Sequence, residues 1–149
     1  MFKGLFISAV DNCQDIIWIK IIQVLSLSGE RWLVDCLDCL YETGLIPGLY
    51  NKDQLISLME CNKYVFSARM IGIPDKQSLN TEIITCNDFC SSNSHSIVLC
   101  ADGNYFEVFS KHEELLCALI QAIPKDCIST AEWIDDPDDP MGGRESFLV

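Results

Sequence analysis

A chain that carries a formal net charge of −12 and is nonetheless 49% apolar must hide its hydrophobic side chains and wear its carboxylates outside. An acidic disordered segment lacks such apolar content and cannot offset the entropy lost on ordering. The combination therefore requires a folded domain with an acidic exterior. At 149 residues the chain has the size of one domain and enough length for one substantial core.

The sign of the charge also restricts the partners. The ten Lys and Arg residues are scattered from Lys3 to Arg144 and form no stripe that could release counterions from a nucleic acid. Neither nucleic acid nor an anionic membrane surface is expected as a ligand. A basic protein is, because a one-signed surface speeds encounter with the opposite sign. Maintaining solubility is the simpler use of the same charge. Nine cysteines, an odd number without a secretory leader pattern, point to reduced thiols in a cytoplasmic protein, mostly acting as small buried hydrophobes. The apolar stretch over 16–27 is interrupted by Lys20 and Gln23 and is too short to span a bilayer.

Periodicity predicts the elements. Residues 3–9 read as a strand, then a helix to about Ser26 capped by Asp11, with Gln14 completing a capping box. Ile17, Ile21, Val24 and Leu25 form its apolar face, widened by Trp18 and Ile22. Residues 31–40 fit either a strand or a helix. Asn51 and Gln54 cap a second helix over 52–60. Strands are expected over 64–71 and 81–85, with a helical turn at 87–90. The strongest local unit is a hairpin over about 96–109, whose Asp102-Gly103-Asn104 supplies the turn chemistry. A helix over 111–122 follows, with Leu115, Leu116 and Leu119 inward, then a strand over 129–134. A loop over 135–143 and an edge strand over 146–149 complete the chain. The expected fold is a single α+β domain over 1–149, with a mixed or antiparallel sheet and about three helices.

No catalytic pattern is complete. Cys36, Cys39, Cys86 and Cys90 could supply four thiolates to zinc, but neither pair lies in a Gly-rich knuckle, so no metal or cofactor is expected. Asp35 and Asp38 beside the first pair disfavour thiolates there, and with them thioredoxin-like redox chemistry. A cysteine nucleophile would need His95 or His112, which read as a solvated loop residue and a surface helix residue. The densest charge lies in Asp135, Asp136, Asp138 and Asp139, separated by prolines. A solvated acidic loop is one use for it. The other is a contact strip for Lys and Arg of a partner, with Trp133 or Tyr105 as an aromatic anchor. A place in the core is the simpler expectation for Trp18, Trp32 and Trp133.

The order of several features resembles a family of small bacterial proteins of unknown function found mainly in Bacillus-like bacteria. These are the opening strand from Met1 to Gly4, Trp32-x-Val34, Tyr64-x-Phe66-x-Ala68 leading to Ile73-Pro74, Asp88-Phe89, Asp102 with Tyr105, and an acidic stretch ending at Arg144. The cysteine load and the Asp-Pro strip depart from that pattern. The resemblance implies a fold and no mechanism. By size and composition alone the chain is also similar to immunity proteins, small acidic α+β domains that cover a basic toxin. Occlusion of a toxin active site by the four aspartates is the function expected. A cytoplasmic regulatory or housekeeping domain and a cysteine-dependent enzyme are the alternatives.

Overall fold

A computed structural model describes residues 2–26, 30–39, 45–61, 65–134, 139 and 141–147. Among the described residues seven strands form one sheet: β1 (Lys3–Ala9), β2 (Arg31–Cys39), β3 (Gly48–Asn51), β4 (Val65–Ile73), β5 (Ser96–Ala101), β6 (Tyr105–Ser110) and β7 (Ile128–Ile134). Their order is β3-β2-β4-β5-β6-β1-β7, and every neighbouring pair is antiparallel. The helices are α1 (Gln14–Leu25), α2 (Lys52–Cys61), α3 (Cys86–Ser91) and α4 (Glu113–Ala122), followed by one 3-10 turn, Lys125–Cys127. The α+β class and the hairpin of β5 and β6 are as expected. At its turn Asp102 and Gly103 both have positive φ, at 52° and 75°, a conformation that suits Asp and Gly. The ambiguous segment 31–39 is a strand: its β-branched and aromatic residues pair with β3 and β4 on either side.

Alternation along the strands sends side chains to two faces. Leu5, Ile7, Val34, Met70, Val98, Phe106 and Val108 face α1, α2 and α4, and meet Ile17, Trp18, Ile21, Leu55, Met59, Leu116 and Leu119 in the larger core. The opposite face carries Ile71, Ile73, Ile97, Leu99 and Phe109. No long helix covers them among the described residues. Phe2, Ile83, Phe89 of the short α3, Met141 and Phe147 form a second core there. Its aromatic rings meet edge-on, Phe2 with Phe89 at 4.9 Å and Phe109 with Phe147 at 5.1 Å, which suits their quadrupoles.

Several local expectations give way to tertiary contacts. Residues 81–85 are not a strand; they form an irregular segment whose Thr85 and Asp88 make the capping box of α3. Residues 146–147 are not a strand either: Phe147 is buried, and its N–H donates to the Ile84 carbonyl at 2.7 Å. Helix α1 is not capped by Asp11. Cys13 occupies the N-cap without a side-chain bond, and Gln14 is buried, donating to the Val65 carbonyl at 2.7 Å and to the Gly103 carbonyl. Gln14 thereby ties α1 to β4 and the hairpin turn. The reciprocal box of Asn51 and Gln54 does form, at 2.8 and 3.0 Å. Of the seven described free cysteines only Cys100 and Cys127 are buried; Cys61, Cys90 and Cys117 lie on the outward faces of helices. No helix among the described residues is long and apolar enough to cross a membrane.

Candidate functional site

The final strand ends the sheet and leaves an unusual surface. Among the described residues β7 pairs only with β1 in the sheet order, and residues 129–133 are all exposed. A terminal strand presents backbone N–H and C=O groups that no neighbouring strand satisfies. Register with β1 divides its side chains. Ala131 and Trp133 sit beside Ile7 and Leu5 on the helix-covered face, while Thr130, Glu132 and Ile134 sit beside Ser8, Phe6 and Gly4 on the opposite one. Trp133 is therefore not a core residue: it stands on the terminal strand of the sheet order and is 42% exposed. Trp18 and Trp32 are buried as expected.

Tyr105 is 46% exposed and stacks on Phe6, with ring centroids 6.2 Å apart and planes 16° from parallel. Because Phe6 pairs with Glu132, this stack belongs to the face opposite Trp133. The two expected anchors thus flank the sheet instead of sharing one patch. Asp135, Asp136 and Asp138 lie outside the described residues. Asp139 is half-buried, and its carbonyl accepts the Gly142 N–H at 3.1 Å. Ile134 before the acidic run and Met141 after it both pack into the second core.

Ion pairs border that core. Arg69 is buried; its guanidinium grips both oxygens of Asp35 and donates to the Ile83 carbonyl. Arg144 grips both oxygens of Glu107 in the same bidentate manner. Arg69, Leu99 and Glu107 share one row across β4, β5 and β6. These pairs close the apolar layer with satisfied charges.

A second cluster surrounds His95, which is not a solvated loop residue but 8% exposed. Its N–H bonds the Gly72 carbonyl at 3.1 Å, and its ring rests where a Cβ on Gly72 would stand, 2.5 Å from Cε1. Trp32 meets the ring edge-on at 6.0 Å, and His112 lies 6.5 Å away. Nδ1 pairs with Ser96 Oγ at 2.9 Å, which donates to Ser110 Oγ at 3.1 Å. Nε2 has no partner among the described residues. Burial pushes His95 down to about 4, helped by His112 and Lys111 and opposed by Glu30. The ring is a packed, neutral imidazole. The hints in sequence were the small residues around it, Ser92, Ser94, Ser96 and Gly72, which leave room for a ring.

The thiols do not assemble a metal site among the described residues, where no group of three or more His, Cys, Asp or Glu side chains converges. The Cys36 and Cys39 side chains lie outside the description. Cys86 and Cys90 share α3, and burial followed by the Cys90 thiol raises Cys86. Burial pushes Cys100 up to about 12. A hydrogen bond to Cys13, reinforced by burial, pushes Cys127 up to about 11. His112 is exposed and faces Glu114 at 3.7 Å. His95 and His112 thus meet oxygen partners, Ser96 Oγ and the Glu114 carboxylate.

No curated protein and no solved structure matches the chain. A family model described as "Protein of unknown function (DUF2691)" matches residues 3–142. With that match covering nearly the whole sequence, the chain belongs to the family of proteins of unknown function designated DUF2691.

Proposed function

We propose that the protein works by binding a basic protein partner along the β7 edge and the acidic run that follows it. The observation that carries this reading is the continuity of that surface. Five consecutive exposed residues of a terminal strand end on Trp133, and the acidic run follows after Ile134 in the sequence. A strand edge offers main-chain hydrogen bonds, an exposed tryptophan offers a desolvating anchor, and carboxylates offer steering. Tyr105 and Phe6, two strands and one strand in from the edge on the other face, form a second contact zone.

In its narrower form the partner is a basic toxin domain and the chain an immunity protein. Asp135, Asp136, Asp138 and Asp139 then take the place of a phosphate backbone in the toxin's active site and block it sterically. The net charge of −12, the single-domain size and the dispersed Lys and Arg residues support that form. The cysteine-enzyme alternative draws no support from Cys86, Cys100 and Cys127, whose raised values keep their thiols protonated at neutral pH.

Affinity capture from the native cell extract tests the reading, with the wild-type chain beside a variant in which the four aspartates are changed to Asn. A basic protein held by the wild type at low salt, weakened at high salt and lost by the variant supports it. Equal capture by both chains sinks the placement on the acidic run. Relief of the captured protein's toxicity by the wild type alone supports the immunity form.

A further inference from the structure

Val10 stands between two cysteines. Its N–H donates to the Cys127 carbonyl at 2.9 Å, and its own carbonyl accepts the Cys13 N–H at 3.1 Å. The backbones of Cys13 and Cys127 are therefore held on either side of one residue, although most of the chain separates them in sequence. Cys13 precedes α1 and is half-buried; Cys127 ends the 3-10 turn and is buried in the larger core, against which Cys13 also packs. The neighbouring Cys13 side chain, with burial, raises the Cys127 thiol, so the two side chains lie close to one another. Both residues belong to the larger core beside the β1–β7 end, where Ala9 pairs with Ile128.

We propose that Cys13 and Cys127 are a disulfide-forming pair, oxidised reversibly by a small-molecule disulfide of the glutathione type. Cys13 is the more accessible thiol and reacts first. As its thiolate it attacks one sulfur of the reagent, whose sulfur–sulfur bond breaks and whose other half leaves as a thiolate. Cys127 then gives up its proton and attacks the Cys13 sulfur, releasing the second half. Two protein thiols lose two electrons and two protons; one small disulfide becomes two thiols. The product ties the end of the 3-10 turn, just before β7, to the N-cap of α1 and closes a loop spanning most of the chain. A loop of this size constrains the unfolded chain strongly, for a rise in Tm of about 10 °C.

The other described cysteines differ in geometry. Cys86 and Cys90 are close, but both lie on α3, so their cross-link spans one helical turn and leaves the unfolded chain almost unconstrained. Cys61 and Cys117 are exposed on α2 and α4. Cys100 is buried in β5; the pair at Val10 joins segments far apart in the sequence.

The test uses the full wild-type chain, reduced, freed of reductant and incubated with oxidised glutathione at pH 8. Mass spectrometry of a non-reducing digest is expected to find a peptide pair linked through Cys13 and Cys127, with a Tm rise that dithiothreitol reverses. Glutathione adducts on Cys13 without that linked pair would overturn the proposal. The Cys13→Ser variant is expected to lose the oxidation-dependent Tm rise. Its persistence in that variant would assign the rise to another pair and overturn the proposal as well.

Discussion

The two faces of the sheet reach burial by different means. On one, α1, α2 and α4 lay whole helical stripes over the strands, and the core is built from segments that repeat with the helical period. On the other, a six-residue helix, the irregular segment 74–85, Phe2 and residues 141–147 supply single side chains, chiefly aromatic, from distant parts of the chain. The first face holds its partners by many contacts along each helix. The second depends on a few large rings and on bidentate ion pairs at its border. An element that presents a stripe is committed to a face before it docks, whereas a lone phenylalanine in a loop acquires a face only by docking.

The sharpest way to break this comparison is a truncation on each face. Trp18 is fully buried and meets Phe106 edge-on at 5.1 Å. Trp18→Ala is expected to cost about 5 kcal/mol, because neighbouring helical turns cannot collapse into the void. Phe147→Ala, also fully buried but outside any helix or strand, is expected to cost about 3 kcal/mol, since its surroundings relax more easily. Urea unfolding of the two variants checks the order. Equal costs would show the second face to be as rigid as the first.

Acid should find the His95 cluster. The unfolded-state value is the ordinary 6.5 and the folded value about 4, so between them the unfolded chain binds the extra proton. Stability contributed by the neutral ring is present above pH 6.5, is lost as pH falls toward 4, and changes no further below that. The loss amounts to about 3 kcal/mol. Urea midpoints of wild type and His95→Gln across this range should converge on acidification, and parallel curves would refute the assignment. Glu30, His112 and Lys111 also face the ring, so the difference curve is the quantity to read.

Gly72→Ala probes the same cluster sterically. The new Cβ would lie 2.5 Å from His95 Cε1 and 2.8 Å from Nε2, forcing a buried ring to move. The expected cost is about 2 kcal/mol, read as a lowered Tm, and His95→Ala in the same chain should recover part of it. The smallest effect belongs to the exposed edge. Trp133→Ala should change stability by no more than about 0.5 kcal/mol while reducing capture of a basic partner. A stability loss near that of Trp18→Ala would place Trp133 in the core after all.

Much of the fold is legible locally. The stripes of α1, α2 and α4, the Asn51–Gln54 box and the hairpin turn all depend on residues within a few positions of one another, and each appears where the pattern puts it. The failures share a cause. Gln14 reads as a cap yet reaches Val65 and Gly103; His95 reads as solvated yet fills the space that Gly72 leaves open; Trp133 reads as core yet stands exposed on the terminal strand. Of the expected contact residues, Trp133 and Tyr105 are exposed but on opposite faces, because the number of residues between them says nothing about pairing register.

What the sequence by itself determined is the class and the chemistry of the exterior: an α+β domain with helical stripes, one hairpin and a net charge of −12. Those properties follow from composition and from periods of 2 and 3.6 residues, which need no knowledge of distant neighbours. Only the tertiary structure decided the strand order, the second core, the burial of His95 and the meeting of Cys13 with Cys127. Each of these is a contact between segments far apart in the chain. A period tells which side chains seek cover, but the docking of other segments decides which of them receive it.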